Sequence, residues 1–263
     1  MNIDAAAEYH ARHKPQALLV RHGATTLLER YDGGLRAGEP HALYSGTKSF
    51  WGVTAVTAER ERLLSLDERV WRGATIRDLL TLTAGVPFGG LGSAVPAYEK
   101  ALASEQRSAP GSTFTYGGIP LQIFGAIFAE RLKPLGLTPH EYLHERILKP
   151  AGVEVASWRT LKDGTHPLPT GAFLTASNWA RYGAFVAARA ATYGECFKGT
   201  HANPRYGLGW WLAPASAPRD AFYASGSGGQ AMYVVPSENV VAVRFANGGS
   251  FNHEAFLKRL FGA

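Results

Sequence analysis

The stretch that organises this chain is Leu43-Tyr44-Ser45-Gly46-Thr47-Lys48-Ser49-Phe50. It places a serine hydroxyl and a lysine amine three positions apart, where a polar, glycine-containing segment passes into a helix-like run. In a helix, two such residues lie one turn apart on the same face. A lysine held there with its stem buried loses its proton more easily than a free lysine, and it can then accept the proton of a serine nucleophile. Ser45 and Lys48 are therefore candidate catalytic residues.

Strand-like runs occur at both ends of the sequence, and helix-like runs fill the middle. Residues 16–22 and 25–31, joined by Gly23-Ala24, predict a β-hairpin, and four further strands are predicted over 206–212, 221–225, 230–235 and 240–245. Amphipathic helices are predicted at 4–13 and 252–260. These patterns indicate a single α+β domain spanning 1–263 with two lobes. Residues 1–42 and 205–263 would form one antiparallel sheet covered by the terminal helices, and residues 43–204 a mainly helical lobe.

Helices in the middle block are predicted over 47–64, 75–84, 94–106, 120–132, 139–148 and 177–191. Thr75, with Asp78 three residues later, has the pattern of an N-cap, and Gly85 that of a helix stop. Ser177 is predicted to cap the last of these helices. A cleft between two such lobes is a favoured place for a small-molecule site.

Composition excludes several classes of function. The net charge of +6 is scattered, without a dense basic tract interleaved with aromatic residues, which argues against nucleic-acid binding. The single cysteine, Cys196, excludes an internal disulfide and any cysteine-rich metal site, and neither a metal nor a cofactor is expected. No apolar run is long enough for a transmembrane helix. The N-terminus lacks a signal-peptide pattern. A periplasmic or secreted location is favoured if a leader has been removed, and the cytoplasm otherwise.

Two further segments supply groups that suit a serine nucleophile. Tyr116 lies on a loop between Pro110-Gly111 and Gly117-Gly118, where its phenol could relay protons if a nearby ammonium lowers its pKa. The run Ala224-Ser225-Gly226-Ser227-Gly228-Gly229-Gln230 lies between two predicted strands. Its small residues would let a substrate lie against the strand, and a free backbone amide there would form an oxyanion hole with the amide of Ser45.

Taken together and in this order, the segments resemble those of the penicillin-recognising serine hydrolases. These include class C β-lactamases, DD-peptidases, family VIII esterases and the 6-aminohexanoate-dimer hydrolase. Ser45-Gly46-Thr47-Lys48 resembles the family's S-x-x-K motif. Matches to later landmarks follow at Thr75–Gly85, Pro110–Gly118, Gly171–Arg181, Tyr206–Trp210 and the strand around Gly228-Gly229-Gln230.

The resemblance implies a β-lactamase/transpeptidase-like fold and an acyl-enzyme mechanism. Ser45 would be the nucleophile, Lys48 its base and Tyr116 a proton shuttle, with no cofactor. Aligning Ala224-Ser225-Gly226 with the family's K-T-G makes Ser227 the second oxyanion amide, while a shift by one residue would make it Gly228. Gly118, Ser225, Gly226 and Gly228 are the positions expected to contact substrate.

Two departures from the family pattern bear on the substrate. Gly118 stands where the family has asparagine, and the lysine or histidine of the third motif is absent. The loss of that cation favours small esters or amides over β-lactams. The alternatives are a β-lactamase or D-amino-acid peptidase acting on a lactam or amide, and a catalytically silent protein that binds such ligands. Neither a monomer nor a homodimer is favoured.

Overall fold

A computed structural model describes residues 1–212 and 217–262 of the chain. Its centre is a six-stranded antiparallel sheet in the order β2-β1-β11-β10-β9-β8. The strands of the chain are β1 (Pro15–His22), β2 (Thr25–Tyr31), β3 (His41–Ala42), β4 (Arg69–Trp71), β5 (Ala74–Thr75), β6 (Ser157–Trp158), β7 (Ala172–Leu174), β8 (Trp211–Leu212), β9 (Phe222–Gly226), β10 (Gln230–Val235) and β11 (Val240–Ala246). The predicted sheet built from both chain ends is confirmed, and so is the predicted α+β fold.

Helices cover both faces of this sheet. They are α1 (Ile3–Ala11), α2 (Ser49–Arg60), α3 (Ile76–Leu80), α4 (Tyr98–Leu102), α5 (Ile119–Leu132), α6 (Pro139–Leu143), α7 (Ala176–Ala187) and α8 (His253–Phe261). On one face, Leu18 and Val20 of β1 pack in a cluster with residues of α1 and α8. On the other face, Leu19 of β1 belongs to the large core that also contains α2, α5 and α7. Because successive side chains of β1 point to opposite faces of the sheet, this strand contributes to both hydrophobic clusters.

The helical block brings several short segments next to the sheet. The short strands β3, β7 and β6 form a small sheet that runs beside the 3-10 turn Tyr44–Lys48, from which α2 continues. Helix α6 runs on as a π-helical turn, His144–Leu148. No helix in the described part of the chain has both the length and the apolar character needed to cross a bilayer.

The local signals at the two ends of α3 differ in outcome. Thr75 and Asp78 form the predicted capping box at the start of α3. The predicted stop at Gly85 is wrong, because α3 already ends at Leu80 and Leu82 adopts a left-handed φ of 61°. Gly85 instead lets the chain approach the carbonyl of Ser108, which a Cβ atom would overlap.

Three other boundaries differ from the prediction. The helix predicted over 94–106 is reduced to α4, since Pro96 holds Val95 in extended backbone before it. Helix α7 is capped by Thr175, whose hydroxyl accepts from the amide of Asn178, and Ser177 lies inside the first turn. The strand predicted over 206–212 reduces to a bridge between Tyr206 and Trp211 and the two residues of β8.

Candidate active site

Ser45 lies on the tight turn that precedes α2. The residue before it, Tyr44, adopts a left-handed backbone with φ of 48°, which is uncommon for a residue with a side chain. The turn is closed by the amide of Gly46, which donates to the carbonyl of Leu43 at 2.9 Å. Strained backbone of this kind costs on the order of 1–3 kcal/mol and is typical of functional positions. No feature of the sequence predicts it.

Lys48 ends the same turn, and its side chain is buried beside Ser45. Its Nζ donates to Ser45 Oγ at 3.0 Å and to the carbonyl oxygen of Pro169 at 3.2 Å. Lys48 is only 1% exposed, and this burial lowers its pKa to about 7. The prediction that these two residues meet at one turn's spacing with a depressed lysine pKa agrees with this geometry. The Pro169 carbonyl, more than a hundred residues away in sequence, could not be inferred from any motif.

Tyr116 lies on the loop before α5 and faces the same pair. The Lys48 Nζ is 4.9 Å from the centre of its ring, and its hydroxyl hydrogen-bonds with the Ser45 side chain. Burial raises the pKa of Tyr116, and the Ser45 contact offsets this only in part. The condition stated for proton relay by this phenol, a pKa lowered by a nearby ammonium, is therefore not met. Tyr116 keeps its proton at neutral pH and can act as a donor.

Gly118 is buried at the N-cap of α5. A Cβ atom there would overlap the carbonyl oxygen of Gly90 and lie 2.9 Å from Pro169 Cγ, so the backbone around it leaves no room for an asparagine side chain. Gly118 follows the loop that carries Tyr116 and is not among the residues that line the cavity of Ser45, so its contact with substrate stays a prediction.

The third segment forms the end of β9 and the turn into β10. Gly226 lets β9 approach the carbonyl of Leu43, which a Cβ atom would overlap, and this places the strand against the Ser45 turn. Ser225, Gly226 and Ser227 line the same cavity as Ser45. Gly228 is not among the residues that line the cavity and lies next to Gln230 and Gly248, so its contact with substrate stays a prediction. This placement favours Ser227 over Gly228 as the second oxyanion amide.

Buried side chains hold this turn in place. Gln230 Nε2 donates to the carbonyls of Ser227 at 3.1 Å and Ala246 at 2.8 Å, while its Oε1 accepts from the amide of Ala246 at 2.8 Å. The buried guanidinium of Arg244 donates to the carbonyl of Gly229. Gly228 and Gly229 both have positive φ, at 79° and 84°, so the turn needs glycine at both positions.

The cavity around Ser45 has a volume of about 510 Å³, within the range of small-molecule sites. Its walls are mainly aromatic and hydroxylic: Ser45, Leu91, Tyr116, Trp211, Tyr223, Ser225, Gly226, Ser227 and His253. Trp211 stacks on Tyr116 with ring centres 5.9 Å apart. Within the described ranges 1–212 and 217–262, neither lysine, arginine, aspartate nor glutamate lines this cavity. It therefore suits an uncharged, partly apolar ligand.

Sequence reasoning missed several residues of this wall. In the sequence, Trp211 and Tyr223 look like ordinary strand residues. The alternation of side chains along β8 and β9 indicates which face of the sheet each residue occupies, but not that it lines a cavity. His253, the first residue of α8, reaches the cavity from the far end of the chain. A larger cavity of about 730 Å³ lies in the helical block between α6 and the loop at Gly164, and it contains none of the predicted site residues.

Comparisons with known proteins indicate the family and the fold of this chain. The family model described as Beta-lactamase matches residues 7–262. A search of curated proteins finds no significant match. Among solved structures, one from Bacillus anthracis, provisionally described as a 6-aminohexanoate-dimer hydrolase, has 20% identity and a TM-score of 0.80, covering 97% of this chain and 80% of that one.

Two other solved structures have the same fold. A family VIII carboxylesterase has 14% identity and a TM-score of 0.74, with coverage of 99% of this chain and 96% of that one. A penicillin binding protein from Bacillus halodurans has 17% identity and a TM-score of 0.73, with coverage of 95% and 96%. At these identities the likeness shows the fold, while the family match extends over nearly the whole sequence. The chain belongs to the Beta-lactamase family and is a serine hydrolase.

Proposed function

We propose that this protein hydrolyses small, uncharged carboxylic esters or amides through an acyl-enzyme on Ser45. The observation that carries the proposal is the Lys48 amine 3.0 Å from Ser45 Oγ, with its pKa lowered to about 7 by burial. At neutral pH, a substantial fraction of the molecules holds a neutral amine beside the serine hydroxyl. Such an amine is a competent general base for a serine nucleophile.

In the first half of the reaction, Ser45 Oγ attacks the carbonyl carbon while Lys48 Nζ takes the hydroxyl proton. The amides of Ser45 and Ser227 stabilise the negative charge that develops on the carbonyl oxygen. When the bond to the leaving group breaks, Tyr116 donates its proton to the departing oxygen or nitrogen. The phenolic oxygen then recovers a proton from Lys48, which leaves the acyl group on Ser45 and the lysine neutral again.

In the second half, a water molecule attacks the acyl carbon and gives up its proton to the neutral amine of Lys48. The acid leaves and the proton returns to Ser45 Oγ, so that one ester and one water yield one acid and one alcohol. The aromatic wall of the cavity supports a neutral substrate, because none of the described residues that line it is a lysine or an arginine; Arg205 lines a neighbouring cavity that shares Tyr223 and His253 with this one. The carboxylesterase among the structural neighbours is in line with such a substrate.

The proposal predicts that Ser45→Ala lowers kcat for p-nitrophenyl butyrate about a thousandfold or more. Wild-type protein should show an acyl adduct by intact mass spectrometry, and Ser45→Ala should show none. Ser104→Ala is a matched control, because Ser104 is a serine outside the cavity whose hydroxyl donates to the carbonyl of Lys100.

Ester hydrolysis by Ser45→Ala at the wild-type rate would refute the proposal. Turnover of the β-lactam nitrocefin comparable to that of the ester would favour a β-lactamase. The absence of an adduct with either compound would favour a ligand-binding protein without catalytic activity.

A further inference from the structure

His253 connects the interior of the molecule to the wall of the Ser45 cavity. Its Nε2 lies 3.1 Å from Ser225 Oγ, and its Nδ1 lies 2.6 Å from the hydroxyl of Tyr233. Ser225 lies on β9 and lines the cavity, whereas Tyr233 lies on β10 and is 2% exposed. Three side chains from β9, β10 and α8 thus form a continuous row of hydrogen bonds that ends at the cavity.

The burial of Tyr233 determines which group donates and which accepts in each of these hydrogen bonds. Its phenol stacks on Phe256 with ring centres 5.1 Å apart, and burial raises its pKa well above the usual value, so the phenol keeps its proton. A buried hydroxyl hydrogen needs an acceptor, and His253 Nδ1 is the acceptor within reach. A neutral imidazole that accepts at Nδ1 carries its hydrogen on Nε2.

It follows that His253 Nε2 donates to Ser225 Oγ. In the described part of the chain, Ser225 Oγ makes no other side-chain hydrogen bond, so its own hydrogen is left to point into the cavity as a donor. Burial and the nearby Arg244 lower the pKa of His253 to about 4, which agrees with a neutral ring. His253 therefore donates to Ser225, and the Ser225 hydroxyl points its hydrogen into the cavity, throughout the neutral pH range.

We propose that His253 is a positioning residue that fixes Ser225 as a hydrogen-bond donor to a second, uncharged oxygen of the substrate. The substrate class is an acyl compound with a further carbonyl oxygen beyond the one that Ser45 attacks. The inference rests on the proposed function, because it assigns the substrate of the same site. It assigns to the C-terminal helix a role in specificity that no motif of the sequence indicates.

Two esters of the same shape isolate this contact. p-Nitrophenyl 4-oxopentanoate carries a second carbonyl oxygen where p-nitrophenyl 4-methylpentanoate carries a methyl group. Wild-type protein should prefer the oxo ester in kcat/KM. Ser225→Ala and His253→Leu should each lower this preference about tenfold, the typical effect of one hydrogen bond. Each variant should lower kcat/KM more for the oxo ester than for the methyl ester, so the ratio of the two values is the quantity that tests the contact.

Further variants separate positioning from a general structural effect. His253→Gln retains a donor toward Ser225 and should restore most of the preference. Ser225→Ala combined with His253→Leu should lose no more than either single change, because both remove the same contact. His10→Leu is the matched control: His10 is a fully buried histidine on α1, away from the cavity, and its variant should keep the wild-type preference.

The outcomes are distinct for the two proposals. If His253→Leu keeps the preference while Ser225→Ala loses it, His253 does not position the serine. If both variants keep it, or if the wild type has no preference while its activity still depends on Ser45, this inference alone is wrong. If Ser45→Ala hydrolyses both esters like the wild type, or if the wild type hydrolyses neither, the proposed function fails and this inference fails with it.

Discussion

The side chain of Lys48 sets the pH at which the proposed reaction can run. Burial lowers its pKa from an ordinary value of 10.5 to about 7. Because the neutral amine is the base, the active fraction grows as pH rises through the pKa. Below that value, the fraction falls about tenfold for each pH unit.

We therefore expect kcat/KM for p-nitrophenyl butyrate to rise with pH, with a midpoint near 7, and then to level off. No fall is expected just above neutrality, because burial raises the pKa of Tyr116 and the phenol stays protonated. His253, with its pKa lowered to about 4, is neutral throughout this range. The measurement is a series of initial rates across the neutral range, corrected for spontaneous hydrolysis. A rate that is independent of pH, or that falls as pH rises through 7, would contradict Lys48 as the base.

At the residue scale, the sequence predicts only those parts of the site that are close together along the chain. Ser45 and Lys48 form one turn, so their contact follows from their spacing. Pro169 and His253 reach the same site through packing of distant segments, and neither has a motif that marks it. The raised pKa of Tyr116 cannot be read from the sequence for the same reason, because burial, which depends on the whole fold, outweighs the hydrogen bond with Ser45.

At the scale of elements, the turn between β9 and β10 is the part of the site that depends most on buried hydrogen bonds. Gln230 satisfies the carbonyls of Ser227 and Ala246 and the amide of Ala246 with one side chain. Because its carbonyl is tied to Gln230, Ser227 has a fixed position beside Ser45, as an oxyanion amide requires.

We expect Gln230→Met, which is close in size, to leave those three backbone groups unpaired. The free energy of unfolding should fall by about 2–4 kcal/mol, since each buried unpaired group costs roughly 1–3 kcal/mol with partial relaxation. The kcat for ester hydrolysis should fall by about tenfold or more while KM changes little, because the oxyanion amide acts mainly in the transition state. Urea unfolding and steady-state kinetics measure both effects.

Gln106→Met provides the comparison, because Gln106 makes one hydrogen bond, to the carbonyl of Ala84, outside the cavity. Gln106→Met should lower the free energy of unfolding less than Gln230→Met does, and it should leave kcat unchanged. If Gln230→Met loses stability but keeps the wild-type kcat, the turn does not hold a catalytic amide.

The sequence predicts an element well where one local signal marks it and no second signal nearby points to a different boundary. The hairpin of β1 and β2 and the capping box of α3 are examples. Where two signals compete, packing decides: Thr175 and Ser177 are both good N-caps, and Thr175 caps α7 in the fold. Gly85 is the residue type that commonly ends a helix. In the fold, its positive φ and missing side chain instead let the chain pass close to the carbonyl of Ser108.

At the scale of the whole molecule, one hydrophobic core extends through both predicted lobes. It contains Leu19 and Phe245 from the sheet together with Phe124 and Tyr142 from the helical block. The second cluster, between the sheet and the terminal helices, joins the first through β1, whose successive side chains point to opposite faces. The cavity around Ser45 lies between the sheet and the helical block, so its geometry requires both to be folded.

This arrangement predicts that the chain unfolds as one cooperative unit. Leu18→Ala removes a fully buried side chain from the cluster of α1, β1 and α8, and should destabilise the protein by about 2–5 kcal/mol. The six tryptophans lie elsewhere, between residues 51 and 211, and so report on the rest of the fold. In urea, the midpoints from tryptophan fluorescence and far-ultraviolet circular dichroism should therefore shift together, as they do in a two-state transition. A fluorescence midpoint that stays at the wild-type value while the circular dichroism transition splits would show that the terminal layer unfolds independently, and that Ser225 and His253 can separate from Ser45 before the core is lost.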